Sequence, residues 1–343
     1  MFSPGKGVNE LADKYTDKDY LFLTALLRAR QANMLTGEML GQMLDSGSFN
    51  EAARTLAETG WPDMAAMESK EIDKTLSKRR NSIFADVAAM CPQSEVVDLF
   101  RVRYDYHNAK ALIKGEGAGV RADSLISDAG RVPKERLEKA FLEDDYRSVP
   151  GLLGSAMREA KAVLARTDNP QMADFIIDRA YFAEMKQMAA KLGNTFAADY
   201  VKLSIDIANL RTCVRCVRMQ KNSEFLESVL IPGGTVSTER LIQAVFSGEG
   251  LQGVFVSPAF QTAVSLGNDA MKGGRLTQFE LECDNVVNRF LTGAKMKGFG
   301  PEAVIGYLSA EENNITAVRM VLSGLLAGIE PERLKERLRE TYV

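Results

Sequence analysis

The sequence predicts an all-α protein built from three similar helical modules. Three observations predict it: helical spacing of apolar residues almost throughout, capping residues at the segment ends, and a pattern that recurs at intervals of about one hundred residues.

The helices read in order. Segment 20–44 carries apolar residues at Tyr20, Leu23, Leu26, Leu27, Met34, Leu35, Leu40, Met43 and Leu44, with a break or restart suggested at Thr36-Gly37. Ser46-Gly47-Ser48 is a turn before a helix at 49–56, and Trp61-Pro62-Asp63 ends that unit and starts the next, since proline is tolerated in a first turn. Further helices are expected at 94–114, 133–141, 148–166, 170–192, 195–221, 237–246, 257–271, 277–295, 301–326 and 331–342. Many starts carry Ser, Thr, Asp or Pro, and many stops carry Gly. The best short strand, Val254-Phe255-Val256, is too short to build a sheet.

The recurring pattern is an acid followed three residues later by asparagine: Asp105 and Asn108, Asp206 and Asn209, Glu311 and Asn314. Gly130-Arg131-Val132-Pro133 resembles Gly234-Thr235-Val236-Ser237 downstream, and Gly328-Ile329-Glu330-Pro331 reads as a shorter third copy. Asp178 and Asp284 precede their acid–Asn pairs by 28 and 27 residues, and Asp73 precedes the first by 32. This divides the chain into modules 1–120, 121–228 and 229–343, the last helix able to pack back on the first module. Three such modules can close around a pseudo-threefold axis and leave a central depression, or stack as an open solenoid.

Residues three apart share a helix face, so each acid and its Asn point the same way, to fix packing inside a module or to contact another subunit. Lys110 and Lys114 lie two and six positions after Asn108. Arg211 and Arg215 stand likewise after Asn209, and Arg218 continues the face. The third copy has Thr316 and Met320 there. Such a stripe is a solvated face or a positive wall that orients an acidic partner.

Composition narrows the function classes. The 343 residues are 45% hydrophobic and 26% charged, which suits a folded globular chain. A formal net charge of -3 argues against a dedicated nucleic-acid binder. The apolar stretch 320–329 is about half the ~20 residues a membrane span needs. The single histidine, His107, excludes a multi-His metal site, and its place in the repeat favours a structural or interface role over that of a general base. Cys213 and Cys216 fall mid-helix with no second pair, which favours core packing over redox or metal chemistry. Glu143-Asp144-Asp145 reads as a solvated loop rather than a metal site. Gly248-Glu249-Gly250-Leu251-Gln252-Gly253 lacks the Lys-Ser/Thr ending and the preceding strand of a phosphate loop.

The stretch Arg103-Tyr104-Asp105-Tyr106-His107-Asn108-Ala109-Lys110 resembles the most recognisable motif of the C/d-subunit family of V-type and A-type rotary ATPases. Asp19-Tyr20-Leu21 through Arg30, Met34-Leu35, Ala52 to Leu56, Thr59 and Trp61 look like that family's opening module, and the close Arg339-Glu340-Thr341-Tyr342 is similar to its usual end. The resemblance implies a funnel-shaped helical protein with no catalytic site and no cofactor. It implies a linker between central shaft subunits of the D/F type and the ring of membrane proteolipids, coupling nucleotide chemistry to proton or sodium transport. It also implies a cytoplasmic place, peripheral at the inner face of the plasma membrane through the ring. Glu311 departs from the family's Asp. Without the resemblance, a helical-repeat adaptor of an unrelated complex would fit the same residues.

Overall fold

Side-chain caps open several of the helices. The computed structural model describes residues 15–122, 125–248 and 250–343. The expected long helix 20–44 is two, α1 (Leu21–Gln31) and α2 (Gly37–Asp45), because the Thr36 hydroxyl accepts from the Met39 N–H and opens a new helix. Ser48 does the same for α3 (Phe49–Glu58). The helix after Trp61-Pro62 starts later than expected: α4 (Ser69–Met90) opens on the reciprocal cap of Glu68 and Glu71. Then come α5 (Glu95–Ala118), α6 (Lys134–Leu142), α7 (Gly151–Thr167) and α8 (Pro170–Leu192). Asn194 caps α9 (Thr195–Arg218), and Asn222 caps α10 (Ser223–Val229), a short helix that periodicity alone does not reveal. The remainder are α11 (Thr238–Phe246), α12 (Gln261–Met271), α13 (Leu276–Thr292), α14 (Pro301–Leu326) and α15 (Pro331–Lys335). There is no strand among the described residues, so the chain is all-α as the sequence predicts.

The three longest repeat helices are α5, α9 and α14, and each carries one acid–Asn pair. Each packs mainly on helices outside its own stretch of about one hundred residues: α5 on α7 and α8, α9 on α12 and α13, and α14 on α4. Three apolar cores result. The first joins α1, α5, α7 and α8 with the start of α9 (Val201, Ile205) and the start of α14 (Val304, Leu308). The second is built from the rest of α9 (Leu210, Val214) through α13. The third combines α2, α3 and the start of α4 with the second half of α14 (Ile315, Val318, Leu322) and Leu334 of α15.

The early helices α2 and α3 therefore share one core with α14 and α15, and α9 and α14 each run from one core into another. A helix whose two halves sit in different close-packed cores cannot bend without disturbing both. The expected terminal helix 331–342 stops at Lys335. Beyond it the chain is a tail fixed by side chains: Arg289 pairs with Glu340 at 2.6 Å, the Glu340 N–H donates to Asn285, and buried Tyr342 lies against Gly306 of α14.

Candidate functional site

In the first two repeats the acid and the Asn fasten the loop that follows their own helix. Asn108 accepts from the Ser127 N–H and donates to the Ser127 carbonyl, both at 2.8 Å. Asn209 does the same with Ile231, at 2.9 and 2.8 Å. The acids take the next stretch. Asp105 accepts from the Val132 N–H at 3.0 Å and from the Arg131 guanidinium at 2.7 Å; Asp206 accepts from the N–H groups of Thr235 and Val236 and from the Thr235 hydroxyl. All four side chains are fully buried. Burial raises the Asp105 carboxyl above its ordinary value despite Arg131. The glycines of the repeat have a steric cause. A Cβ on Gly130 or Gly234 would overlap the carboxylate of Asp105 or Asp206.

The third copy is built differently. Gly328 is a left-handed helix cap, φ +72°, with open space around it. Glu311 lies 15 residues before the end of α14, about 22 Å up the helix at 1.5 Å per residue. Gly328, two residues past that end, reaches back only about 7 Å. It cannot meet Glu311, so the sequence match of this glycine to Gly130 and Gly234 does not carry a structural match. Glu311 instead accepts from the Tyr307 hydroxyl and pairs with Arg79 at 3.5 Å, and burial again raises its carboxyl. Asn314 is buried, but it is Asn313 that reaches the returning chain, donating to the Glu340 carbonyl at 2.9 Å.

The basic stripe is engaged within the chain. Lys110 pairs with Asp178 and Lys114 with Asp174, each at 2.6 Å, tying α5 to α8. Arg211 pairs with Asp284 at 2.6 Å and Arg215 with Glu280 at 2.7 Å, tying α9 to α13. Arg218 donates to the carbonyls of Ala270 and Gly274, where α12 ends. The third repeat helix has its own member, Arg319 with Asp73 at 2.8 Å, tying α14 to α4. The three recurring aspartates Asp73, Asp178 and Asp284 thus each bridge a repeat helix to the helix packed on it.

The repeat helices also meet around one hollow of about 290 Å³. α5 lines it with Phe100 and Arg103, α9 with Tyr200 and Arg211, and α14 with Glu312 and Thr316; Asp284 of α13 and Arg339 of the tail complete its charges. Phe100 and Tyr200 stack at 5.9 Å between centroids. Glu312 accepts from Arg80 at 2.7 Å and from the Tyr104 hydroxyl at 2.6 Å, with Arg103 at 3.7 Å. Burial pushes the Tyr104 phenol up to about 12, so it stays a proton donor to Glu312. Asp284 holds both Arg211 and Arg339, at 2.6 and 2.7 Å. Sequence reasoning missed Glu312, which stands beside the chosen Glu311, and Arg103, two residues before Asp105. A larger concavity, about 910 Å³, lies on another face of α14, where its buried Glu311 is already engaged by Arg79 and Tyr307.

The other candidates are buried or engaged within the chain. His107 touches the Leu125 carbonyl at 3.0 Å. Cys213 and Cys216 are buried mid-helix, and burial pushes the Cys213 thiol up to about 12, which disfavours a reactive thiolate. Asp144 and Asp145 pair with Lys161 and Arg147. Glu249, in the glycine-rich stretch, lies outside the described residues. Among the described residues no group of His, Cys, Asp and Glu is arranged to hold a metal ion, and no helix is long and apolar enough to cross a membrane.

A chain with a repeated acid–Asn clamp and long helices shared between cores can be compared with known families. The model of one family, the ATP synthase (C/AC39) subunit, matches residues 23–337. The chain belongs to that family. Among curated relatives, it is 25% identical to the C subunit of the V-type sodium ATPase of Enterococcus hirae, over 94% of this chain and 99% of the relative. It is 20% identical to the C subunit of the A-type ATP synthase of Methanocaldococcus jannaschii, over 93% and 86%. To the C subunit of the V-type ATP synthase of Thermus thermophilus it is 24% identical over 57% of this chain and 63% of the relative.

Proposed function

We propose that this chain is the non-catalytic central-rotor linker of a V/A-type rotary ATPase, seated between the central shaft and the membrane proteolipid ring. In this reading it works at the cytoplasmic face of the membrane, holds the ring with one face, and receives the tip of the D/F-type shaft in the hollow between α5, α9 and α14. Its job is to pass torque between ATP chemistry and proton or sodium flow.

The observation that carries the reading is the convergence of the three repeat helices, from distant parts of the chain, on one hollow. A closed set of three units around a pseudo-threefold axis would give such a hollow. A torque-bearing part must resist shear, and three features supply stiffness: helices shared between cores, buried clamps, and the ion-pair row from Lys110 to Arg215 with its further member Arg319. Membership of the family and the names of the relatives support the same assembly.

The test is a strain lacking this chain. ATP-driven ion pumping by its membranes is expected to be lost while ATP hydrolysis by the isolated soluble head persists. Undiminished pumping would overturn the reading.

A further inference from the structure

We infer that Arg103 is the residue in the hollow that grips the shaft, through an acidic side chain at the shaft's tip; this rests on the reading above. The hollow's lining carries three cations, Arg103, Arg211 and Arg339, against two anions, Asp284 and Glu312. Four of these five are already satisfied at short range. Asp284 lies 2.6 Å from Arg211 and 2.7 Å from Arg339, and Glu312 is held at 2.7 Å by Arg80 and at 2.6 Å by Tyr104. Arg103 is left with a long contact to Glu312, 3.7 Å, and half of its side chain remains exposed.

Its guanidinium lies 5.1 Å from the Tyr104 ring, a cation–π contact that favours this direction, and the stacked Phe100 and Tyr200 stand in the same lining. The excess charge is therefore positive, oriented and partly screened from water. This arrangement favours a carboxylate and disfavours an ammonium. The hollow, about 290 Å³, is too small for a whole helix of ~10–12 Å diameter but takes the side chains at a helix end. The partner chemistry it fits is a carboxylate side chain on that end.

The experiment measures binding of the purified full-length chain to the shaft subunits of its own complex, at low and high salt. Arg103→Ala is expected to weaken binding on the order of tenfold or more and to flatten its salt dependence. Arg103→Lys should keep part of the affinity, and Arg103→Glu should lose more than Arg103→Ala. The fold is expected to survive each change, because Glu312 keeps Arg80 and Tyr104; circular dichroism checks this, and if Arg103→Ala unfolds, Arg103→Lys is compared with Arg103→Gln instead. Wild-type affinity and salt dependence in a folded Arg103→Ala variant would overturn this inference and leave the linker reading standing. Failure of the wild-type chain to bind the shaft would overturn both.

Discussion

The side-chain amide of Asn209 holds both backbone groups of Ile231, accepting from its N–H at 2.9 Å and donating to its carbonyl at 2.8 Å. A fully buried asparagine on α9 thereby satisfies both backbone groups of a residue 22 positions downstream. Asn108 repeats the arrangement with Ser127.

Removing that amide leaves a buried donor and a buried acceptor unpaired. Asn209→Ala is expected to destabilise the protein by about 2–4 kcal/mol, measured as a shift of the urea midpoint at constant slope. Asn313→Ala, which loses one bond to Glu340, should cost about 1 kcal/mol. Equal effects would mean that the third copy is clamped like the others.

The three glycines that align in sequence should separate in experiment. Gly130→Ala and Gly234→Ala drive a methyl into a buried carboxylate and are expected to destabilise by about 3 kcal/mol or more. Gly328→Ala meets open space and pays only for its left-handed backbone, about 1 kcal/mol. Thermal melting of the three variants distinguishes these cases.

The tail should act as a fastening between α1 and α14. Tyr342 is 5% exposed, accepts from Gln31 of α1, and has Lys295 over its ring at 4.7 Å. Tyr342→Ala is expected to cost about 3 kcal/mol. Native-state hydrogen exchange should locate the loss at α1 and the start of α14; faster exchange confined to the last few residues would contradict the assignment.

Stability should fall in alkali in a defined window. Burial, aided by the neighbouring Cys216, raises Cys213 from 9.0 to about 12, and burial raises Cys283 to about 12 against the opposing charge of Arg211. The unfolded chain loses these protons first. The contribution of each thiol is therefore intact below about pH 9 and declines as pH rises toward 12, by about 1.4 kcal/mol per pH unit per thiol. Denaturant melts of Cys213→Ala and Cys283→Ala across that range should show a shallower decline than wild type. An unchanged slope would mean that neither thiol is protected.

The helical class and the special helices α5, α9 and α14 were legible because their apolar spacing and end residues, such as Asn194 before α9 and Pro301 at the start of α14, are local. The helix at Ser69–Met90 was less so: Lys78, Arg79 and Arg80 interrupt its face, and Arg80 is buried only because Glu312, 232 positions away, takes its charge. The recurring aspartates Asp73, Asp178 and Asp284 could be seen in the sequence, but their partners Arg319, Lys110 and Arg211 sit on other helices, and no local pattern links them. Gly328 misled for the same reason, since similarity of residues carried no information on the length of chain available to return to Glu311. The hollow itself arises from tertiary packing. Arg103 stands apart from the other charges of its lining by lacking a short-range partner, which a sequence does not show.

Electron cryo-microscopy of the assembled complex containing this chain tests the central claim most directly. The account predicts the shaft's tip inside the hollow between α5, α9 and α14, with the ring on another face of the same protein. A shaft that bypasses the hollow, or a position for this chain outside the rotor, would contradict it.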